Sequence, residues 1–239
     1  MILILKYSII INTKGVNYEL KFIVNSFTFK GIGQMGQYFS NDELKSELHI
    51  FKTKIFDREY SFYTDNGVFS KEKLDFGTRT LLESIPINEL KGDILDVGCG
   101  YGVIEVILGK ITNANYEGID VNRRALHLAE MNAKLNNVSN VKFYESNVYE
   151  NVNQKYNFII TNPPIRAGKK VVYDIVMNAR NHLVDDGVLY IVIRKEQGAK
   201  SMMRDLEEYY EIEVINKNKG FFVIKCILHW HLVWNMLLI

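Results

Sequence analysis

The chain has 239 residues, 47% hydrophobic, 24% charged and 12% aromatic, with three prolines, a composition that excludes disorder, collagen and a disulfide scaffold and fits one globular domain of up to about 250 residues. Two cysteines, Cys99 and Cys226, are too few and too scattered for a disulfide framework or a four-ligand zinc site, as expected in a reducing, cytoplasmic compartment. Lysine plus arginine is 29 against 28 for aspartate plus glutamate, a formal net charge of +1, so an anionic partner must be held by a local basic patch.

The chain opens on the apolar run MILILKYSIII. No basic stretch precedes it, no small-residue cleavage site follows it, and it is far shorter than the roughly 20 residues of a membrane helix. Residues 1–34 therefore read as an extension. It is either an extra strand with Ile2, Ile4 and Tyr7 on one side, or translation from a start upstream of the natural one, with Met35 as the alternative start. HIFKTKIF and EYSFYTD flank Asp57 and Arg58 and predict a β-hairpin over 48–65, and TRTLLESI predicts a short helix leading into a catalytic core at 77–226.

Seven candidate strands follow, at 93–97, 116–120, 141–145, 156–161, 187–193, 210–216 and 220–226. A helical stretch is expected after each of the first five, the pattern of repeated βα units around a parallel sheet. Asn122 is placed as the N-cap of a helix from Arg123 to Leu135 with an apolar stripe of Leu126, Leu128, Ala129, Ala133 and Leu135. Two residues at 219–220 cannot house a crossover helix, so the last two strands should pair antiparallel. The expected architecture is a single α/β domain over 35–226. Its doubly wound, Rossmann-like sheet has seven strands, mostly parallel with one antiparallel, and a β-hairpin ahead of it.

The tail at 227–239 carries Trp230, Trp234, Leu237 and Leu238, an apolar set that usually marks a partner or a membrane. Lys225, His229, His231 and Asn235 interrupt it, and His229 and His231 lack a third ligand nearby, so neither a membrane span nor a metal site is expected.

The stretch DILDVGCGYG puts Gly98, Gly100 and Gly102 between a strand and a helix, the context in which glycines carry meaning. Position 103 is Val, so the dinucleotide pattern G-x-G-x-x-G fails by one residue. The loop still lets a ligand approach the backbone closely, and Asp96 at the strand end suits a cationic amino group. That chemistry fits the zwitterionic methionine part of S-adenosylmethionine. Asp120 follows Asp96 by 24 positions at the end of the next strand, where a carboxylate can take both ribose hydroxyls. After the third strand, Asn147 either meets the exocyclic amine of adenine or caps the turn.

The fourth strand runs into Asn162, Pro163, Pro164 and Ile165, which uses two of the three prolines. Successive prolines stiffen the turn and remove two N–H donors, leaving carbonyls and the Asn side chain to accept hydrogen bonds from an amino group. The amine of a nucleobase or an amide is a poor nucleophile, because its lone pair is conjugated. Acceptors that orient its protons can turn the lone pair toward a methyl donor, which is catalysis by positioning and electrostatics.

DVGCGYG, GIDVN and TNPPIRAGK, in this order and spacing, resemble the class I S-adenosylmethionine-dependent methyltransferases. TNPPIRAGK with GVFSKEKLDFGTRTLL ahead of it resembles the small-domain methyltransferases related to the bacterial small-subunit ribosomal RNA guanine-N2 enzyme. The resemblance covers about residues 60–226. It implies that Asp96, Gly98, Gly100, Asp120 and Asn147 bind the cofactor, with Cys99, Gly102, Val121 and Asn162 beside them, and that Asn162, Pro163 and Pro164 form the catalytic turn. Three departures stand out. Asn147 replaces a common Asp, Ile165 stands where an aromatic usually stacks on the base, and no second, degenerate copy fits in front.

Basic residues crowd the same sheet edge. Arg166, Lys169 and Lys170 follow the proline turn, Arg194, Lys195 and Lys200 follow the next strand, and Lys217 and Lys219 sit at the last hairpin. With Ile165, the residues Arg166, Lys169, Arg194 and Lys195 are the expected substrate contacts, a phosphate-binding rim on a neutral protein. The loop at 67–77 brings Phe69 and Phe76, either to close over the site or to anchor the loop to the core. The expectation is an N-methyltransferase acting on guanine N2 of ribosomal RNA or of the small subunit. A protein glutamine amide as substrate, and a non-catalytic RNA-binding module, are its rivals.

Overall fold

The computed structural model describes residues 45–229 and, before them, the backbone of one antiparallel pair, β1 (Lys6–Thr13) and β2 (Val16–Ile23). The pair lies in one unit, Met1–Gln34, and the rest of the chain forms a second, Met35–Ile239. Two strands, not one, occupy the N-terminal stretch. Ile2, Ile4, the Tyr7 side chain, Met35, Trp230, His231, Trp234, Asn235, Leu237 and Leu238 lie outside the described residues.

In the second unit, β3 (His49–Ile55) and β4 (Arg58–Thr64) form the expected hairpin. Its turn residues are Phe56 and Asp57, both with positive φ, one position ahead of Asp57 and Arg58. A two-residue turn of this hand matches the twist of the strands it joins. Asp75 then caps α1 (Phe76–Ser84), its carboxylate accepting from Thr78 N.

The main sheet is built from β5 (Asp93–Val97), α2 (Val103–Ile111), β6 (Asn115–Asp120), α3 (Arg123–Leu135), β7 (Val141–Glu145), β8 (Tyr156–Thr161), α4 (Lys169–Asn178), β9 (Leu183–Arg194), α5 (Ala199–Leu206), β10 (Tyr210–Asn218) and β11 (Phe221–Leu228). The seven strands lie in the order β10-β11-β9-β8-β5-β6-β7, and β11 alone runs against its neighbours. Lys219 and Gly220, both at positive φ, make its two-residue turn. Neighbouring residues of one strand enter opposite cores. Ile160 and Tyr190 pack with Leu81, Ile107 and Leu128 of α1, α2 and α3, while Ile159 and Leu189 pack with Val176 and Leu206 of α4 and α5. Helices on both faces are what continuous apolar strands such as β5 and β8 require.

Three expectations are corrected. No helix follows β7; residues 146–155 are turns, held by Asn151 N–H on Ser146 Oγ (3.1 Å), Asn151 Nδ2 on Glu145 O (2.9 Å) and the buried side chains of Tyr149 and Val152. Side chains that bond the nearby backbone compete with a helix. β9 starts at Leu183, earlier than expected, but its pairing with β8 jumps from Tyr156↔Leu183 to Phe158↔Val188, so 184–187 bulge out around Asp186 at positive φ. Leu135 is not part of the buried stripe of α3; it is 37% exposed, and the stripe gains Ala125 and Asn132.

The sheet order decides where a site can form. β5 pairs with β6 on one side and with β8 on the other, so the chain reverses its direction of travel across the sheet at β5. Ligands of such folds bind outside the carboxyl ends of the strands at this switch point. The glycine loop leaves β5 there, and Asn162 leaves β8 there.

Candidate active site

Gly98, Gly100 and Gly102 all have positive φ, a backbone that only glycine adopts without strain. The loop is pinned to β6 by Gly98 N–H and Cys99 N–H on Ile119 O, at 2.8 and 3.0 Å. The three glycines face different surroundings. A Cβ at Gly100 meets nothing within 4 Å, and one at Gly98 meets Pro164 Cδ at 3.6 Å. At Gly102 it meets Ala129 Cβ at 2.9 Å, so this residue allows α2 to pack on α3 rather than opening space for a ligand. Gly102→Ala is expected to destabilise the fold by about 1–3 kcal/mol through overpacking, read as a lower urea midpoint at unchanged slope.

Asp120 accepts Gly100 N–H on Oδ2 (3.0 Å) and Asn122 N–H on Oδ1 (2.9 Å), with Val121 N–H also facing the carboxylate. Burial raises its pKa and these N–H groups pull it back. Each oxygen keeps a second lone pair, enough for one ribose hydroxyl apiece. Asp96 is buried with neither carboxylate oxygen hydrogen-bonded to a donor among the described residues. Behind it stands Glu105 of α2, equally buried and equally without a donor. A Cβ on Gly118 would collide with Glu105 Oε1, so that glycine makes the room for the acid. Burial first, then the charge of Asp120 on Asp96 and of Asp96 on Glu105, pushes both carboxyls well above the usual carboxylate range. Two acceptors facing each other are joined only by a proton that one of them keeps. A cationic amino group beside Asp96 would supply its missing partner and lower its pKa. The orphaned carboxylate and the open space over Gly100 thus fit the ammonium and ribose parts of S-adenosylmethionine. Cys99 is buried among these acids, and burial, then Glu105, pushes its thiol well up, which makes it a poor nucleophile.

Asn147 is exposed, with Nδ2 on Glu150 Oε1 (2.8 Å) and its carbonyl accepting Glu150 N–H (3.1 Å). Its amide serves the turn after β7. Thr161 Oγ1 donates to Val97 O (2.8 Å) and ties the end of β8 to the end of β5. Asn162 comes next, with Nδ2 on Thr78 Oγ1 (2.9 Å) and on Asp75 Oδ2 (3.1 Å). Pro163 is buried, and Pro164 O is taken by Ala167 N–H (2.9 Å), so Pro164 shapes the turn.

On the rim, Phe76 and Phe221 lie 5.6 Å apart between ring centroids. Lys219 sits over Phe76 at 5.1 Å and Arg194 over Phe221 at 5.1 Å. Lys217 lies over Phe222 and Lys169 over Tyr173; Arg166 and Lys195 are exposed and Ile165 is half-buried. The 67–77 loop is fastened beside the glycine loop by Tyr101 Oη on Ser70 O (3.1 Å) and Asn122 Nδ2 on Gly67 O (3.3 Å). Phe76 anchors, whereas Phe69 is 52% exposed. Sequence reasoning did not single out Asp75, Thr78, Glu105 or Phe221. Only Asp75 with Thr78 three residues on, a helix N-cap spacing, left a readable signal.

Among the described residues no helix is long and apolar enough to cross a membrane, and no group of three or more His, Cys, Asp or Glu could hold a metal ion.

Fold and site together define a Rossmann-like methyltransferase. Residues 59–225 match the model of the methyltransferase small domain, and the chain belongs to that family. It is an enzyme of the S-adenosylmethionine-dependent methyltransferase class, with S-adenosylmethionine as its cofactor. The uncharacterized protein YbxB of Bacillus subtilis is 43% identical over 192 residues, 79% of this chain and 96% of that protein. Ribosomal RNA small subunit methyltransferase C of Psychromonas ingrahamii is 30% identical over 199 residues, 77% of this chain but 56% of that enzyme. The chain thus spans about half the length of the curated ribosomal RNA methyltransferases it matches. Among solved structures, a T. thermophilus 16S rRNA N2-guanine methyltransferase (RsmC), in complex with AdoMet and guanosine, superposes with a TM-score of 0.70 at 20% identity, covering 93% of this chain and 58% of that one.

Proposed function

We propose that this protein transfers a methyl group to an exocyclic amine, guanine N2 of small-subunit ribosomal RNA, in the cytoplasm. The observation that carries the reading is the meeting of an Asn-Pro-Pro turn with the glycine loop at adjacent strand ends, Pro164 Cδ 3.6 Å from the Cβ position of Gly98. The cofactor supplies an electrophilic methyl on a sulfonium with a neutral thioether as leaving group. In this reading Asp96 faces the cofactor's ammonium group and Asp120 its ribose. Asn162 Oδ1 and the Pro163 carbonyl accept from the target amine and aim its lone pair at the methyl. The amine proton leaves to water after attack, so no side-chain base is required.

An RNA substrate is supported by the rim and by the two relatives named as ribosomal RNA methyltransferases. Ile165 offers no aromatic face, but Phe76 and Phe221, each under a cation, supply ring surfaces beside the turn. Stacking and cations together suit a splayed nucleotide. Arg194→Gln with Lys219→Gln is expected to weaken RNA binding and to flatten the slope of log affinity against log salt by about 0.7 for each phosphate no longer neutralised; an unchanged slope would remove the rim from the interface.

The deciding experiment is transfer of labelled methyl to small subunits from cells lacking this protein, with the product nucleotide mapped. Label on a guanine N2 is the expected result. Label on a protein glutamine amide would replace the substrate, and no transfer with the cofactor bound would leave a non-catalytic RNA-binding module.

A further inference from the structure

An Asn side chain has two arms of nearly equal size, one a carbonyl and one an NH2. Which arm faces a target amine decides whether the turn works. The carbonyl accepts the amine's proton, whereas the NH2 would set donor against donor. Nothing in an Asn-Pro-Pro turn itself selects one arm.

In this chain the selection comes from a helix 87 residues away in sequence. The Nδ2 arm of Asn162 reaches Asp75 Oδ2 at 3.1 Å and Thr78 Oγ1 at 2.9 Å. A carboxylate oxygen only accepts, so the arm against it must be the NH2. Thr78 strengthens the choice, because its own hydroxyl proton is directed to the same Asp75 oxygen (3.4 Å) and its lone pairs face Asn162. That oxygen is in turn held by Thr78 N–H at 2.9 Å as the N-cap of α1. Leu81 and Leu82 of α1 are completely buried in the core, which makes the cap a fixed point. Gly77 adds to the fit, since a Cβ there would come within 3.0 Å of both Phe221 and Asp75 Oδ2.

We infer that Asp75 is a positioning residue for methyl transfer: through Nδ2 it fixes the orientation of the Asn162 amide, so that Oδ1 is the arm left for the target amine. The inference rests on the reading of Asn162 as the amine acceptor, but the orientation itself is testable without any substrate.

Asp75→Ser keeps a good N-cap and is too short to reach Asn162. It is expected to lower kcat about 10- to 100-fold, leaving cofactor affinity and the melting temperature close to wild type. Asp75→Asn, which keeps one acceptor oxygen, should recover at least about tenfold over Asp75→Ser. Asn162→Asp sets carboxylate against carboxylate and should be inactive. The readout independent of activity is the Asn162 side-chain NH2 in a nitrogen–proton correlation spectrum, expected to exchange slowly in wild type and quickly in Asp75→Ser. A folded Asp75→Ser enzyme with wild-type kcat, or an Asn162 amide indifferent to residue 75, overturns the inference. If wild type transfers no methyl to any amine, the functional reading fails by itself, and the amide spectrum still decides the role of Asp75.

Discussion

Asn162→Ala is expected to lower kcat for methyl transfer about 10²- to 10³-fold, the usual effect of deleting one preorganised group from a polar catalytic site, with the cofactor still bound. The carbonyl arm is lost along with the two hydrogen bonds that hold it, those of Nδ2 to Asp75 and Thr78. Stability should fall by only about 1 kcal/mol, the net worth of ordinary hydrogen bonds in half-buried positions. The glycine loop does not depend on Asn162, because its bonds run to Ile119 and Asp120. Cofactor titration, a melting curve and single-turnover transfer, run on the same preparation, separate binding, folding and chemistry. A variant that transfers methyl within about threefold of wild type, under 1 kcal/mol of barrier, would remove Asn162 from the reaction.

Glu105→Gln is expected to raise stability most at alkaline pH and to flatten the dependence of stability on pH. Asp96 and Glu105 are pushed up mainly by burial, with Asp120 adding to Asp96 and Asp96 adding to Glu105. Cys99 faces the same acids and Tyr116 lies close to Glu105, but a thiol and a phenol carry no positive charge in any protonation state, and burial raises both so that they stay neutral beside the pair. In the unfolded chain both acids titrate near their usual values of about 4. Above that pH the native state holds more protons than the unfolded one, so stability falls as pH rises until the raised native values are passed. The glutamine amide of this variant can donate to the Asp96 carboxylate and ends the need for a shared proton. The gain at neutral to alkaline pH should be about 1–3 kcal/mol, the scale of one buried polar group left unsatisfied, or several degrees in melting temperature. Melting curves from about pH 5 to pH 9, on either side of neutrality, test it. Parallel curves for wild type and variant would show that Glu105 titrates normally despite its burial.

Much of this molecule is legible locally. A strand, a tight glycine loop, a helix and a second strand ending in acid follow one another in DILDVGCGYG and GIDVN, and each step is set by residues within a turn of one another. Asn122 caps α3 as expected, with its side chain on Arg124 N and Ala125 N. The pair at 219–220 makes the hairpin that reverses β11, since two residues cannot span a crossover. The Asn-Pro-Pro turn is equally local, because proline ring geometry alone removes its donors.

The tertiary structure decides what these local pieces face. Asn132 is not part of the expected apolar stripe of α3; in the fold its side chain is buried and bonded to the backbone of Tyr63 and Tyr101. Asn147 reads either as an adenine ligand or as a turn residue, and in the fold its Nδ2 lies on Glu150, three residues on. Glu105 lies in the first turn of α2, and only the missing side chain of Gly118 on the adjacent strand shows where its carboxyl goes. The Asp75–Asn162 contact joins a helix cap to a strand end across 87 residues. Turns and caps are short-range chemistry, so the sequence by itself determines them. Which turn meets which cap depends on the order of strands in the sheet, and that order is settled by burying two apolar cores at once, a sum over the whole domain that no stretch of sequence contains.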